Sequence, residues 1–347
     1  MPKAIVYTNE FYKCRLRGQS VAQTLEKFCS LNNVHFVKDL DESRVKSFLQ
    51  CEKSKYMVMF RIQDPLLGDV DYWKRINHEF ASLGKKLLVC TDNYVLIDDF
   101  SHIQFLSHKA LIGLKSLHVN TDWVDSLAHN HSPKRLFNCF NHRVESVRQS
   151  WFYFLHNRKL LDSGYVSFLF YSLEGESQSE LDLFEKNHNK FLNRLDHFNK
   201  AYAELKSQIP FRNFAENGVL WDKICDSKYS LVLDTAAPDD DRIGLFFSEK
   251  VARVLMLPSI DLLFLQKQTL HCMESMGLVS HTYSLGIDHM SWHDRQLNLL
   301  QALEKDDIQY DFKKLLDRAR HNHAVLSTAL NNMDGFFTEV FDTVTCK

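Results

Sequence analysis

The sequence predicts an α/β chain of two doubly wound halves facing one another across a cleft, followed by a helical tail. Three observations carry this expectation. Short β-rich apolar runs alternate with helically spaced ones through the first 130 residues. The alternation pauses at Asn130-His131-Ser132-Pro133 and then restarts. From Tyr310 to Thr345 the pattern is helical with polar breaks. Strands alternating with helices indicate parallel sheets covered by helices.

In order, Ala4-Ile5-Val6-Tyr7 reads as a short buried strand, and Val21, Leu25 and Phe28 place a helix across Ser20 to Leu31. Val34 to Val37 and Tyr56 to Phe60 are the next strands, Trp73 to Leu83 a helix, and Lys86 to Cys90 a fourth strand. After the pause, Arg135 to Phe140 is a strand, and Val144, Val147, Trp151 and Phe154 step as a helix. Tyr165 to Tyr171 is a further strand. Phe191, Leu195, Phe198, Tyr202 and Leu205 step by four and three, the spacing of one helix face. Tyr229 to Leu233 and Ile260 to Phe264 are buried strands bracketing a helix from Ser248 to Met256.

A chain of 347 residues exceeds what one hydrophobic core ordinarily organises, so domains at 1–130 and 131–347 are expected. Gly and Pro are scarce, at 11 and 6, which argues against a low-complexity tail. The formal charge of −2 provides no global field toward nucleic acid or an anionic membrane, although a local basic groove stays open. Eight cysteines are scattered with no C-x-x-C pair. They read as small buried hydrophobes in a reducing compartment, not as a zinc site or disulfide framework. No apolar run reaches the roughly 18–20 residues that span a bilayer, and the N-terminal one is too short for a signal peptide, so a cytoplasmic protein is expected.

Tyr229 to Leu257 carries the most chemistry. A buried strand ends at Asp234, and a polar loop with Asp239, Asp240, Asp241 and Arg242 follows. Phe246-Phe247-Ser248-Glu249-Lys250 then opens a helix. Ser248 is placed as an N-cap whose hydroxyl takes free backbone N–H groups. A helix start flanked by Lys250 and Arg253 suits a diphosphate, and Glu249 suits ribose hydroxyls. An ordinary capped helix has the same residues.

This segment resembles the donor-binding motif of the fucosyltransferase-like glycosyltransferases. Their architecture, GT-B, pairs two Rossmann-like domains. Their pattern is a strand ending in an acid and Thr, a variable loop, an aromatic, then Thr/Ser-Glu-Lys and a helix. Here it reads Leu233-Asp234-Thr235, the loop, then Phe247-Ser248-Glu249-Lys250. Pro258, the Ile260 to Phe264 strand, Leu270 to Leu278, Asp288 and Asp294-Arg295 follow in similar order. A second block, Leu136 to Ser167, is similar to the first strand and helix of that donor domain. It sets Asn141, Arg143 and Arg148 where the family holds donor phosphates. The chain departs from the pattern where Gln266-Lys267-Gln268 replaces the Gly-Ser-Pro stretch that seats the sugar.

The resemblance implies a glycosyltransferase taking a sugar from a nucleotide diphosphate donor, with residues 1–130 binding the acceptor and 131–347 the donor. The acceptor is a glycan, or a hydroxymethylated base in DNA. The DNA version needs a basic, aromatic-lined face, to which Lys13, Arg15, Arg17, Lys74 and Arg75 would contribute. No tightly bound cofactor is implied. Basic side chains, not a metal on Asp239-Asp240-Asp241, would neutralise the leaving group, although carboxylates suit hard cations. A transfer with inversion needs a base at a strand end of the first half. Asp92, Asp64 and Glu10 are the candidates.

The 17 histidines form no metal spacing. The alternative is a binding or scaffold protein on a degenerate glycosyltransferase fold, since fold alone does not confer activity. Another class of nucleotide-handling α/β enzyme is disfavoured by the absence of G-x-G-x-x-G, P-loop and nucleophile-elbow motifs.

Overall fold

The computed structural model describes residues 4–8, 15–16, 19–20, 23, 26–27, 29–30, 35–37, 55–61, 70–95, 99–114, 116, 132–141, 146–168, 220–234, 244–245 and 248–345. Mixed α/β structure, with parallel sheets and a helical C-terminal region, accounts for them.

In chain order the first strands are β1 (Ala4–Thr8), the small antiparallel pair β2 (Arg15–Leu16) and β3 (Gln19–Ser20), β4 (His35–Val37), β5 (Tyr56–Arg61), β6 (Lys86–Thr91), β7 (Tyr94–Val95) and β8 (Ile103–Ser107). Five of them form an all-parallel sheet in the order β4-β1-β5-β6-β8. Helix α1 (Val70–Ser82) returns the chain from β5 to β6, and α2 (Lys109–Gly113) follows β8.

Period-two alternation explains why β5 and β6 read as continuous apolar runs. Met57, Leu87 and Val89 join Ile103 and Phe105 beneath Trp73 and Phe80 of α1. The intervening Val58, Phe60, Leu88 and Cys90 point to the opposite face, toward Ala110 and Leu111 of α2. A parallel strand buried on both faces has no polar side to show. The strand β8 and helix α2 fall where the sequence pattern indicates no element. Gln104 stays exposed between buried Ile103 and Phe105, as on a half-covered edge strand, and polar residues on either side blur its ends.

The second sheet has four parallel strands in the order β10-β9-β11-β13. They are β9 (Arg135–Asn141), β10 (Gly164–Phe168), β11 (Ser227–Leu233) and β13 (Ile260–Phe264), with the two-residue β12 (Gly244–Leu245) outside the sheet. Helix α3 (Ser146–Asn157) joins β9 to β10, α4 (Leu220–Cys225) precedes β11, and α5 (Glu249–Leu255) joins β11 to β13. The helix expected across Phe191 to Leu205 lies outside the described residues. Every residue of β13 is buried. In both sheets the chain runs outward in one direction, then reverses, so the strand order switches between β1 and β5 and again between β9 and β11. Ligands of doubly wound sheets sit beyond the carboxyl ends of strands at such a reversal.

Helices α6 (Thr269–Ser275), α7 (Trp292–Lys305), α8 (Phe312–Asn331) and α9 (Met333–Thr345) complete the chain. The first turns of α8 belong to the second core through Phe312, Leu315 and Leu316. Its last residues do not. Leu330, then Met333, Phe336, Phe337, Val340 and Val344 of α9, pack with Val58, Phe60, Leu88 and Cys90 of the first sheet. Gly113 permits this crossing: a Cβ there would lie 2.5 Å from the Leu330 nitrogen and 2.6 Å from the Leu326 oxygen. Among the described residues no helix is long and apolar enough to cross a membrane. The described cysteines Cys29, Cys90, Cys139, Cys225 and Cys272 are buried, and none of them is in a disulfide.

Candidate functional site

The carboxyl edge of the second sheet gathers most of the polar residues singled out from the sequence. A helix that returns from one parallel strand to the next begins at that edge. The first turns of α3, α5 and α6 therefore stand there together.

Asp234 follows β11 directly and is buried. Its backbone N–H donates to the Phe264 oxygen of β13 at 3.1 Å, and its carboxylate accepts the Ser248 N–H at 3.0 Å. Asp234 thus ties the start of α5 to the sheet. This corrects the expectation for Ser248. The residue does occupy the N-cap position, with extended backbone at φ −75 and ψ 168, but its side chain makes no cap hydrogen bond. The carboxylate has taken over the capping of this end, and the Ser248 hydroxyl is buried with no hydrogen-bond partner.

Glu249 and Lys250 form the first turn of α5 and are half-buried, with Lys250 engaged by neighbouring groups. Arg253 lies one turn on, also half-buried, and no hydrogen-bond partner meets its buried Nε. Burial pulls its guanidinium below the ordinary arginine range, and Glu249 opposes that shift. Arginine stays charged regardless. α5 has only seven residues, so its dipole is small and any anion here rests mainly on side chains.

Arg148 sits in the first turn of α3 with 1% of its surface exposed. It is therefore not a surface charge, and it has partners inside the protein. Trp151, one turn later, meets the Phe264 ring edge-on at 5.3 Å. Arg295 of α7, which no site expectation included, reaches the same place. Its Nη1 donates to the Leu265 oxygen at 2.7 Å and its guanidinium lies 5.9 Å from the Phe264 ring centre. Around it Gln266 and Gln296 are buried, and the buried Thr269 hydroxyl at the start of α6 has no partner. In the sequence Arg295 enters through the resemblance, in the Asp294-Arg295 pair, with no site role attached to it. Its burial follows from where α7 packs, at the end of β13.

Asn141 closes β9 beside the strand-order reversal and pairs in register with Phe168. Arg143, Asp64, Glu10 and the Asp239-Asp240-Asp241 run lie outside the described residues, as do Lys13 and Arg17. Among the described residues no three His, Cys, Asp or Glu side chains cluster around a metal site. Lys74 pairs with Asp71 at 3.3 Å on the exposed face of α1, and Arg75 lies 5.9 Å from the Tyr72 ring centre.

Asp92 is the one candidate base among the described residues. It follows β6 and is 1% exposed. Asn93 beside it donates to the Thr91 hydroxyl at 2.8 Å and to the Asp92 carboxylate at 3.3 Å. The Ser107 hydroxyl fixes the Asn93 carbonyl at 2.6 Å. The next residues, Tyr94 and Val95, pair antiparallel with Leu245 and Gly244. That short ladder joins the loop after β6 to the segment leading into Ser248. The strand-end loop carrying Asp92 is thereby attached to the carboxyl edge of the second sheet.

No protein-family model matches this chain, and no curated protein matches it at a significant level.

Proposed function

We propose that this protein is a glycosyltransferase that moves a sugar from a nucleotide diphosphate donor to a hydroxyl acceptor. In this reading its two halves are Rossmann-like domains arranged as in GT-B enzymes. The donor lies at the carboxyl edge of the second sheet. One observation carries the reading most: on the helices that follow β11 and β13, the Ser248 hydroxyl, the Thr269 hydroxyl and the Arg253 Nε are buried with no hydrogen-bond partner among the described residues. Buried polar groups ordinarily have partners, and a ligand is a common reason when they do not.

The chemistry then follows from charge. The acceptor oxygen attacks the anomeric carbon while a base removes its proton, and the bond from that carbon to the diphosphate breaks. Asp92 is the candidate base. The departing diphosphate gathers negative charge, which Arg253, Lys250 and Arg148 stabilise in a site shielded from water. Glu249 holds the ribose, and Asn141 and Arg143 complete the phosphate end. A glycan or a hydroxymethylated DNA base is the acceptor.

The test is a thermal-shift screen of the full chain against nucleotide sugars, with Lys250→Ala and Arg253→Met beside it. A saturating donor at about 100 times its Kd stabilises the folded state by about 2.7 kcal/mol, which raises the midpoint by a few degrees. One donor shifting the wild type but neither variant supports the reading and names the sugar. No shift with any donor hands first place to a binding protein on a glycosyltransferase-like fold.

A further inference from the structure

A cavity of about 360 Å³ opens at the opposite end of the first sheet, where β5, β6 and β8 begin. Its polar wall is built by strand register. Tyr56 and Lys86 are direct neighbours across β5 and β6, and Gln104 stands opposite Leu88, two residues farther along β6. All three share the face that carries Val58, Leu88 and Cys90, because side chains two apart on a strand point the same way. Ser101 and His102 close the rim, with the Ser101 oxygen 2.9 Å from the His102 Nδ1. Phe100 provides an apolar wall, and Thr343 in the last turn of α9 forms the roof.

The charge in this cavity is one-sided. Among the described residues no Asp or Glu lines it. Lys86 is half-buried, its ammonium 6.0 Å from the Tyr56 ring centre, and among the described residues no carboxylate pairs with it. A cation drawn partly out of water without a counter-ion is unfavourable, and an anion from solution relieves it. Around Lys86 the hydroxyls of Tyr56 and Ser101 and the Gln104 amide are all able to donate to oxygen. A pocket with an apolar wall and a few convergent donors has the form of a small-molecule site.

We propose that this cavity binds an organic phosphate monoester, its phosphate on Lys86, Gln104 and Ser101 and its organic part against Phe100. The site stands apart from the carboxyl edge of the second sheet and does not depend on the transferase reading.

The experiment is isothermal titration of the full chain with phenyl phosphate and with phenol. The proteins are the wild type, Lys86→Met, Gln104→Leu and Arg253→Met. Lys86→Met retains the apolar stem, and its melting midpoint is checked against wild type. Gln104→Leu alters an exposed residue and serves if Lys86→Met does not fold. Phenyl phosphate is expected to bind wild type and Arg253→Met alike, at least tenfold more weakly to Lys86→Met, and several-fold more weakly to Gln104→Leu. Phenol binding as tightly as phenyl phosphate overturns the proposal. So does equal binding by the wild type and both cavity variants, loss of binding in Arg253→Met alone, or no binding to the wild type.

Discussion

The two ends of the second sheet differ in how far buried polarity is satisfied, although among the described residues each keeps one arginine Nε without a hydrogen-bond partner, Arg318 at one end and Arg253 of α5 toward the other. At the amino end Asp261, the second residue of β13, has none of its surface exposed. Its carboxylate takes a salt bridge from Arg318 of α8, the Ser280 hydroxyl, the His281 N–H at 3.1 Å and the Thr282 N–H at 3.3 Å. Arg318 also donates to the Leu257 and Ser259 carbonyls. Asn322, one turn along α8, is saturated by Leu255 and by both backbone groups of Val279. At the carboxyl end the Ser248 and Thr269 hydroxyls have no partners among the described residues, nor does the Arg253 Nε in the last turn of α5. A polar group that is buried and satisfied specifies the fold. One that is buried and unsatisfied destabilises it, and such groups collect where something else is to bind.

The largest break in this contrast is Asp261→Ala. It leaves Arg318 buried without its partner and should cost about 3–5 kcal/mol, read by urea denaturation. Burial pushes the Asp261 carboxyl up, but Arg318 and the hydrogen bonds from Ser280, His281 and Thr282 outweigh it and hold the group below the usual carboxylate range. Its stabilisation is therefore full above the unfolded value of about 3.9 and is lost as pH falls through the lower folded value. Wild type should lose stability below about pH 4 more steeply than Asp261→Asn. Equal slopes would remove Asp261 as the source.

Next in size is Gly113→Ala, which drives a methyl into the backbone of Leu326 and Leu330. Overpacking of this kind costs about 1–3 kcal/mol, and hydrogen exchange should rise first in α2 and α9. Exchange that rises uniformly would mean that the crossing of α8 is not a local unit.

His108 yields a smaller effect. It caps α2, its Nδ1 accepting the Ala110 N–H at 3.1 Å, with Glu339 of α9 3.8 Å from its Nε2. Burial lowers its pKa and Glu339 opposes. The neutral form is thus favoured in the fold, and its contribution is present above about pH 6.5 and fades as pH falls through the folded value. His108→Ala should cost about 1 kcal/mol at pH 8 and less at pH 5, measured by denaturation at both.

Smallest for stability are Ser248→Ala and Thr269→Val. With no hydrogen bond to lose, each should lie within about 0.5 kcal/mol of wild type. A cost above 2 kcal/mol in either would mean that the hydroxyl already serves the fold, and the contrast between the two edges would fail at that residue.

How far the site could be read from sequence differs by residue. Asp234 and Ser248 fall on a strand end and a helix start, with Arg253 one turn farther along the helix, and local spacing is enough to locate such positions. That spacing could not say that the Asp234 carboxylate, not the Ser248 hydroxyl, serves the start of α5. The choice depends on how β11 and α5 meet in space. Thr269, and the burial of Arg295, stayed hidden for the same reason, since nothing adjacent in sequence marks them as buried.

What the sequence determined by itself is local: apolar runs for β5, β6, β9, β11 and β13, helical spacing for α1 and α3, and the restart after Pro133. Each depends on neighbours within one or two turns of chain, where backbone geometry dictates which side chains share a face. Only the tertiary structure decided that α9 completes the first core, that Tyr94 and Val95 pair with Leu245 and Gly244, and that Arg318 seals Asp261 fifty-seven residues away. Contacts across such separations arise when packing brings distant faces together, and no local pattern encodes which faces those are.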